Sequence, residues 1–164
     1  MDKIIVLDFG SQYSHLICRR IRDFSVYAEL LPFDTSLDEI NKLNPKGIIF
    51  SGGPSSVYDS GAPVPDEKIF QLQVPILGIC YGHQIIVTNF GGKIKRANKE
   101  YGSSVLTIDN NSDILNGVGD SIRAWMSHGD EAENVPDGFE IIGHTESSRS
   151  AAIANKQKIG RAHV

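Results

Sequence analysis

The residue of this chain best equipped for covalent chemistry is Cys80, set in Gly78-Ile79-Cys80-Tyr81-Gly82. A small-x-nucleophile-x-small pattern between an apolar run and a helical pattern suits a nucleophile elbow. Such a turn forces strained backbone geometry on the nucleophile, and the glycines remove side chains that would collide there. The chemistry would be attack of a thiolate on an acyl carbon. That thiolate would sit at the carboxyl end of a parallel strand, where open α/β sheets hold their ligands, with the N-terminus of the next helix favouring its charge. A second segment, Ser51-Gly52-Gly53-Pro54, is a glycine-rich turn. Its free N–H groups, with that of Tyr81, could stabilise the oxyanion of an acyl-transfer intermediate. Taken singly, a buried apolar cysteine and an ordinary Gly-Gly-Pro turn account for the same residues.

The elements that must position these groups follow from the hydrophobic pattern. Ile4-Ile5-Val6-Leu7, ending in Asp8-Phe9-Gly10, suits a strand buried on both faces. Leu16/Ile17, Ile21 and Phe24 recur at helical spacing after a candidate cap at Ser11. Residues 26–31 read as a second strand, Ser36-Leu37-Asp38-Glu39 opens a short helix, and Gly47-Ile48-Ile49-Phe50 is a third strand. A helix around residues 65–72, a strand over 74–79 and a helix from Tyr81 to Phe90, closed by Gly91-Gly92, complete the series. The order β-α-β-α-β-α-β-α predicts an α/β protein with a mostly parallel sheet and helices on both faces. Beyond Gly92, residues 93–96, 104–108, 121–126 and 139–143 read as strands linked by turns, which suits an antiparallel extension of the sheet.

At 164 residues, 40% hydrophobic and 22% charged with 16 glycines, the chain has room for one globular domain. A net charge of −4 and a pI near 5.7 give no electrostatic footprint for nucleic acid. The longest apolar stretches are strand-sized, so no membrane span is expected, and the N-terminus lacks the layout of a signal peptide. Cys18 and Cys80 show no metal-ligand spacing, and a thiol pair in an unsecreted chain normally stays reduced. The expectation is a cytoplasmic domain with no metal, nucleic-acid or membrane partner.

Gly78-Ile79-Cys80-Tyr81-Gly82-His83-Gln84 resembles the nucleophile motif of class I (triad-type) glutamine amidotransferases, and Ser51-Gly52-Gly53-Pro54 resembles that family's oxyanion strand. Asp8-Phe9-Gly10-Ser11-Gln12-Tyr13 and Trp125-Met126-Ser127-His128-Gly129-Asp130 are similar to the GMP synthetase branch of the family. The resemblance reaches to about Lys158. It implies a three-layer α/β/α fold, flavodoxin-like, with a mostly parallel open sheet and an antiparallel extension. It implies Cys80 as the nucleophile toward L-glutamine, with Gly53 and Tyr81 supplying oxyanion-hole N–H groups. Gln84 would help hold the amino-acid end of the substrate beside Gly52, while Ser127, His128 and Gly129 would form a loop closing the pocket next to Asp130. The domain itself would need no cofactor. Its branch implies an ATP-pyrophosphatase (synthetase) domain or subunit, not found in this sequence, which would use the ammonia with ATP and Mg²⁺ to aminate XMP to GMP. It also implies a homodimer for the full-length protein.

A cysteine nucleophile needs a base held by a carboxylate. The family pattern supplies both from Phe-His-Pro-Glu, and this chain has no such segment. The sequence runs Ala151-Ala152-Ile153-Ala154-Asn155-Lys156-Gln157-Lys158 and then Ile159-Gly160-Arg161-Ala162-His163-Val164. Residues 1–158 are accordingly expected to be an amidotransferase domain incomplete at its C-terminus. Residues 159–164 are expected to be a non-native tail resembling a translated sequencing adapter, and glutamine hydrolysis by the chain as written is expected to be weak or absent. His163 matches nothing in the family motif and is not taken as the base; His83, on a helix leading away from Cys80, is not either. His128 is expected to shape the pocket, His15 and His144 to lie on the surface or in loops, and Cys18 in the core. Two alternatives stand beside this reading. One is the amidotransferase subunit of anthranilate or aminodeoxychorismate synthesis, against which the segments 8–13 and 125–130 count. The other is a non-catalytic binding module that kept the fold.

Overall fold

In the first strand, side chains alternate between two cores, as the period of two in a β-strand requires. Val6 packs with Cys18 and Ala28 on one face, whereas Ile5 and Leu7 join Ile40, Ile48, Phe50, Tyr81 and Ile86 on the other. The computed structural model describes residues 2–111, 113–155 and 160–163, with side chains described except at 97–100, 113, 128 and 160–163. Its strands are β1 (Lys3–Asp8), β2 (Tyr27–Pro32), β3 (Gly47–Phe50), β4 (Ile76–Ile79), β5 (Lys93–Ile108), β6 (Ser121–Asn134), β7 (Phe139–His144), β8 (Ala152–Asn155) and β9 (Gly160–His163). The helices are α1 (Ser14–Asp23), α2 (Leu37–Leu43) and α3 (Tyr81–Asn89), with short 3₁₀ segments at Glu67–Gln71 and Asp113–Leu115.

The strands form one sheet in the order β2-β1-β3-β4-β9-β8-β7-β5-β6. Neighbours from β2 to β9 are parallel, and those from β9 to β6 are antiparallel. Cys18 on α1 belongs to one core, and Ile40 on α2 with Tyr81, Ile85 and Ile86 on α3 to the other. The three-layer architecture and the antiparallel extension therefore match the expectation. Six phenylalanines thread the second core: Phe33, Phe9, Phe50, Phe70, Phe90 and Phe139 meet in succession with ring centroids 5.2 to 5.8 Å apart. Each such aromatic pair adds about 0.5–1.5 kcal/mol beyond its buried area.

Several elements differ in detail from the pattern reading. Ser11 does not cap α1: its Oγ accepts the Tyr13 N–H (3.1 Å) in a local turn, and the helix begins at Ser14, whose hydroxyl donates to Asp8 Oδ1 (2.8 Å). Ser36 does cap α2, accepting the Glu39 N–H (3.3 Å). The helix expected over 65–72 is a single 3₁₀ stretch, because Asp66 Oδ1 takes the Lys68 N–H (2.9 Å) and the backbone is already extended at Leu72. The two strands expected over 93–96 and 104–108 are one long strand with a register shift between Arg96 and Glu100. Its partner β6 continues through residues 127–130, so Ser127, His128 and Gly129 lie in a strand rather than a loop. The pairing of Tyr101 with Ser127 and Glu100 with His128 is what draws them into the ladder. Strand β8, wholly buried, has no counterpart in the pattern reading. Gly160–His163, within the hexapeptide expected to be a foreign tail, occupy the slot between β4 and β8, with Ala162 opposite Gly78 on one side and Ile153 on the other. Among the described residues, no helix is long and apolar enough to cross a membrane.

Candidate active site

The parallel strand β4 delivers the chain to Cys80, and α3 leads away from it. At this corner Cys80 adopts φ 52°, ψ −107°, a conformation that a side chain adopts rarely and at a cost of about 1–3 kcal/mol. Two glycines make the corner feasible. A Cβ on Gly78 would collide with the Gly82 carbonyl, and one on Gly82 would collide with the backbone and side chain of Phe50 on β3. The elbow expected from the spacing is therefore present, and both glycines are sterically required. Seven consecutive residues of α3, Tyr81 to Val87, are buried, so the helix is clamped on all sides and cannot relax the turn.

The glycine turn after β3 lies against this corner. A Cβ on Gly52 would come within 3.5 Å of Cys80 Cβ, and one on Gly53 would collide with the Phe9 carbonyl. Ser51, fully buried, fastens the turn to the end of β1: its Oγ accepts the Phe9 N–H (2.9 Å) and donates to the Gly52 carbonyl (2.9 Å). On the far side of the corner stands β6, whose Ser127 carbonyl accepts the Cys80 thiol at 3.5 Å.

Burial pushes the Cys80 thiol above its ordinary value; the Tyr81 N–H, donating to the sulfur, pulls it down, and the negative charge of Asp130 raises it further. The helix N-terminus thus favours the thiolate, as expected, but desolvation outweighs it. Cys18 is 2% exposed, and burial raises its thiol likewise. Both cysteines are free.

Two depressions meet at Cys80. A cleft of about 460 Å³ runs over Gly52, Gly53 and Ser127 and is walled by residues 10–13, Pro54 and Trp125. A narrow cavity of about 30 Å³, room for a water molecule, lies on the other side and is lined by His83, Gln84, Asp130, Glu131, Ser148 and Ser150. Of the expected residues, Gly52, Gly53 and Ser127 line the cleft and Gln84 and Asp130 the narrow cavity; Cys80 lines both, and Tyr81 and Gly129 line neither. Among the described residues Gln84 Oε1 is buried with no hydrogen-bond partner. His83, expected to lead away from the site, is buried on the wall of the narrow cavity. The side chain of His128 lies outside the described residues, and His144 pairs with Asp109 (2.8 Å) away from the corner. The register of β9 sets His163 beside Ile79, the residue before Cys80; its side chain is also outside the described ones. Glu131, Ser148 and Ser150 have no signal in the sequence pattern. Glu131 pairs with Lys95 (3.1 Å), and Ser150 donates to the Ala132 carbonyl (3.0 Å). No group of three or more metal-binding side chains occurs among the described residues.

The sequence model of the family "Glutamine amidotransferase class-I" matches residues 5–160. GMP synthase [glutamine-hydrolyzing] of Lactobacillus acidophilus is 55% identical over 159 residues, which are 96% of this chain and 31% of the relative. The enzyme of the same name from Rippkaea orientalis is 53% identical over 156 residues, 94% of this chain and 29% of the relative. The chain thus spans about three-tenths of the length of the curated relatives it matches. Among solved structures, a candidate GMP synthase subunit from Thermoplasma acidophilum superposes with a TM-score of 0.87 at 28% identity, covering 99% of this chain and 82% of that one. A glutamine amidotransferase from Thermotoga maritima shares the fold with a TM-score of 0.77 at 17% identity, covering 99% and 74%.

Proposed function

The chain belongs to the class I glutamine amidotransferase family, and from that premise we propose that it is the glutamine-hydrolysing part of a GMP synthase. The observation that carries this reading is the strained Cys80 corner, with its thiol between the glycine turn after β3 and the carbonyl of Ser127. In the proposed reaction the Cys80 thiolate adds to the side-chain amide carbon of L-glutamine. The carbonyl electrons move onto oxygen, where the N–H groups of Gly53 and Tyr81 receive the charge. Collapse breaks the C–N bond, ammonia leaves with the proton lost by the thiol, and a γ-glutamyl thioester remains. Water then cleaves the thioester, releasing glutamate and restoring the thiol. The proton transfers belong, in the family pattern, to the histidine of Phe-His-Pro-Glu, a segment this sequence does not contain.

Gln84 and Asp130 are proposed to meet the amino-acid end of the substrate. The narrow cavity they line must open for this, and the Gln84 Oε1 is an acceptor ready for the α-ammonium group. The ammonia is proposed to serve a synthetase domain or subunit that uses ATP and Mg²⁺ to aminate XMP, and the full protein is proposed to be a homodimer. The glutaminase step is tested with an activated γ-aryl ester of L-glutamate, whose leaving group needs no proton. A stoichiometric burst of aryl alcohol with the glutamyl group on Cys80 is expected. Ester cleavage that persists unchanged in Cys80→Ala would refute the assignment.

A further inference from the structure

Resting on the glutaminase reading, we propose that the hydroxyls of Tyr58 and Tyr81 are positioning groups, which pin the loop after Gly53 so that its N–H stays aligned with that of Tyr81. Residues 54–66 contain no helix or strand. Their own bonds shape only the tip: the Ser56 N–H donates to Asp59 Oδ2 (2.7 Å), the Asp59 N–H to the Ser56 carbonyl (3.0 Å), and the Ala62 N–H to the Asp59 carbonyl (3.1 Å). None of these ties the loop to the body of the protein. Two phenols do. Tyr58 Oη donates to the Ile94 carbonyl of β5, and Tyr81 Oη donates to the Pro63 carbonyl, each at 2.7 Å, the usual length of a strong O–H···O bond.

Tyr81 acts at both of its ends. Its main-chain N–H donates to the nucleophile, while its ring, wholly buried, packs against Phe9 with centroids 5.8 Å apart. The Phe9 carbonyl is the atom against which Gly53 is pressed. The hydroxyl then reaches Pro63, ten residues after Gly53 on the same loop. Phe9, Gly53, the loop and Tyr81 therefore close a ring of contacts in which the two proposed oxyanion donors are joined through Phe9 on one side and through the loop on the other. Phenylalanine would fill the same core volume but leave the loop with the Tyr58 hydroxyl bond and the packing of Val57 and Ala62 against the core, without the anchor at Pro63. Tyr58 is 66% exposed, so its ring contributes little to the core and its hydroxyl is the part with a defined partner. Burial and the Asp59 carboxylate raise the Tyr81 phenol, which favours its protonated, donating form.

The test compares acylation of Cys80 by the activated γ-aryl ester with alkylation by iodoacetamide, a displacement that develops no oxyanion, in Tyr81→Phe, Tyr58→Phe and the parent chain. Tyr81→Phe should lower the maximal acylation rate on the order of tenfold, a fraction of what loss of a whole oxyanion donor costs. Tyr58→Phe should lower it roughly threefold, with ester saturation and the iodoacetamide rate unchanged in both. If Tyr81→Phe does not fold, Tyr58→Phe decides the matter, because its side chain is mostly outside the core. Acylation at the parent rate in the folded variants, or a parallel fall in iodoacetamide reactivity, would overturn the positioning role. A parent chain that the ester does not acylate would instead sink the glutaminase reading, and the inference with it.

Discussion

Cys80 combines a conformation that exposes its sulfur with surroundings that hold the sulfur protonated. The φ of 52° turns the thiol out between two depressions, and the Tyr81 N–H supports the thiolate, yet burial and Asp130 work against ionisation. A thiol that must lose its proton before it attacks therefore reacts faster as pH rises, with a midpoint above that of an ordinary cysteine. Removing the like charge favours the thiolate, so Asp130→Asn should move the midpoint of iodoacetamide alkylation to lower pH and raise the rate at neutral pH. A profile that stays in place or moves upward would remove Asp130 from the account. The side chain of Gln84 invites a second residue-scale test. Gln84→Ala should weaken saturation by the γ-ester several-fold while the maximal acylation rate holds, since binding and not the reacting carbon loses a partner. An equal fall in both parameters would contradict a binding role.

The elements that make the site were legible in unequal measure, for a physical reason. The elbow is built from residues within five positions of one another, so spacing alone announced it, and the collisions at Gly78 and Gly82 explain why no other residue type serves. Gly82→Ala should consequently cost at least about 1–3 kcal/mol, the usual range for overpacking, because Phe50 cannot move without shifting β3. A thermal melt of the variant matching that of the parent would show that the corner yields more readily than its contacts indicate. The apolar runs likewise announced β1, β3 and β4. Glu131, Ser148 and Ser150 were not legible, since they reach the cavity through antiparallel pairings between β5 and β6 and between β7 and β8. Nothing local marks a serine before a buried alanine strand as a wall of a site seventy residues upstream. The strand character of Ser127–Gly129 was hidden for the same reason: register with β5 decides it, and glycine and histidine are poor strand signals.

At the scale of the whole molecule, a parallel half carries the nucleophile and the glycine turn, an antiparallel half carries Ser127, Gln84's neighbour Asp130 and the serine wall, and β9 joins the two. The site exists only where the halves meet, so its integrity depends on that junction. Ala162→Pro would remove an amide donor from the centre of the sheet and orphan a carbonyl, at about 1–3 kcal/mol for that group alone. Loss of stability together with loss of Cys80 acylation is the expected result, and a stable, fully reactive variant would show that β9 is dispensable. The central claim, that Cys80 is the nucleophile of a glutamine site, is tested most directly by mapping the adduct of a glutamine-like chloroketone by mass spectrometry, with and without excess L-glutamine. Modification of Cys80 and not Cys18 is expected, with L-glutamine protecting it. Modification that L-glutamine leaves unchanged, or that falls on Cys18 instead, would contradict it.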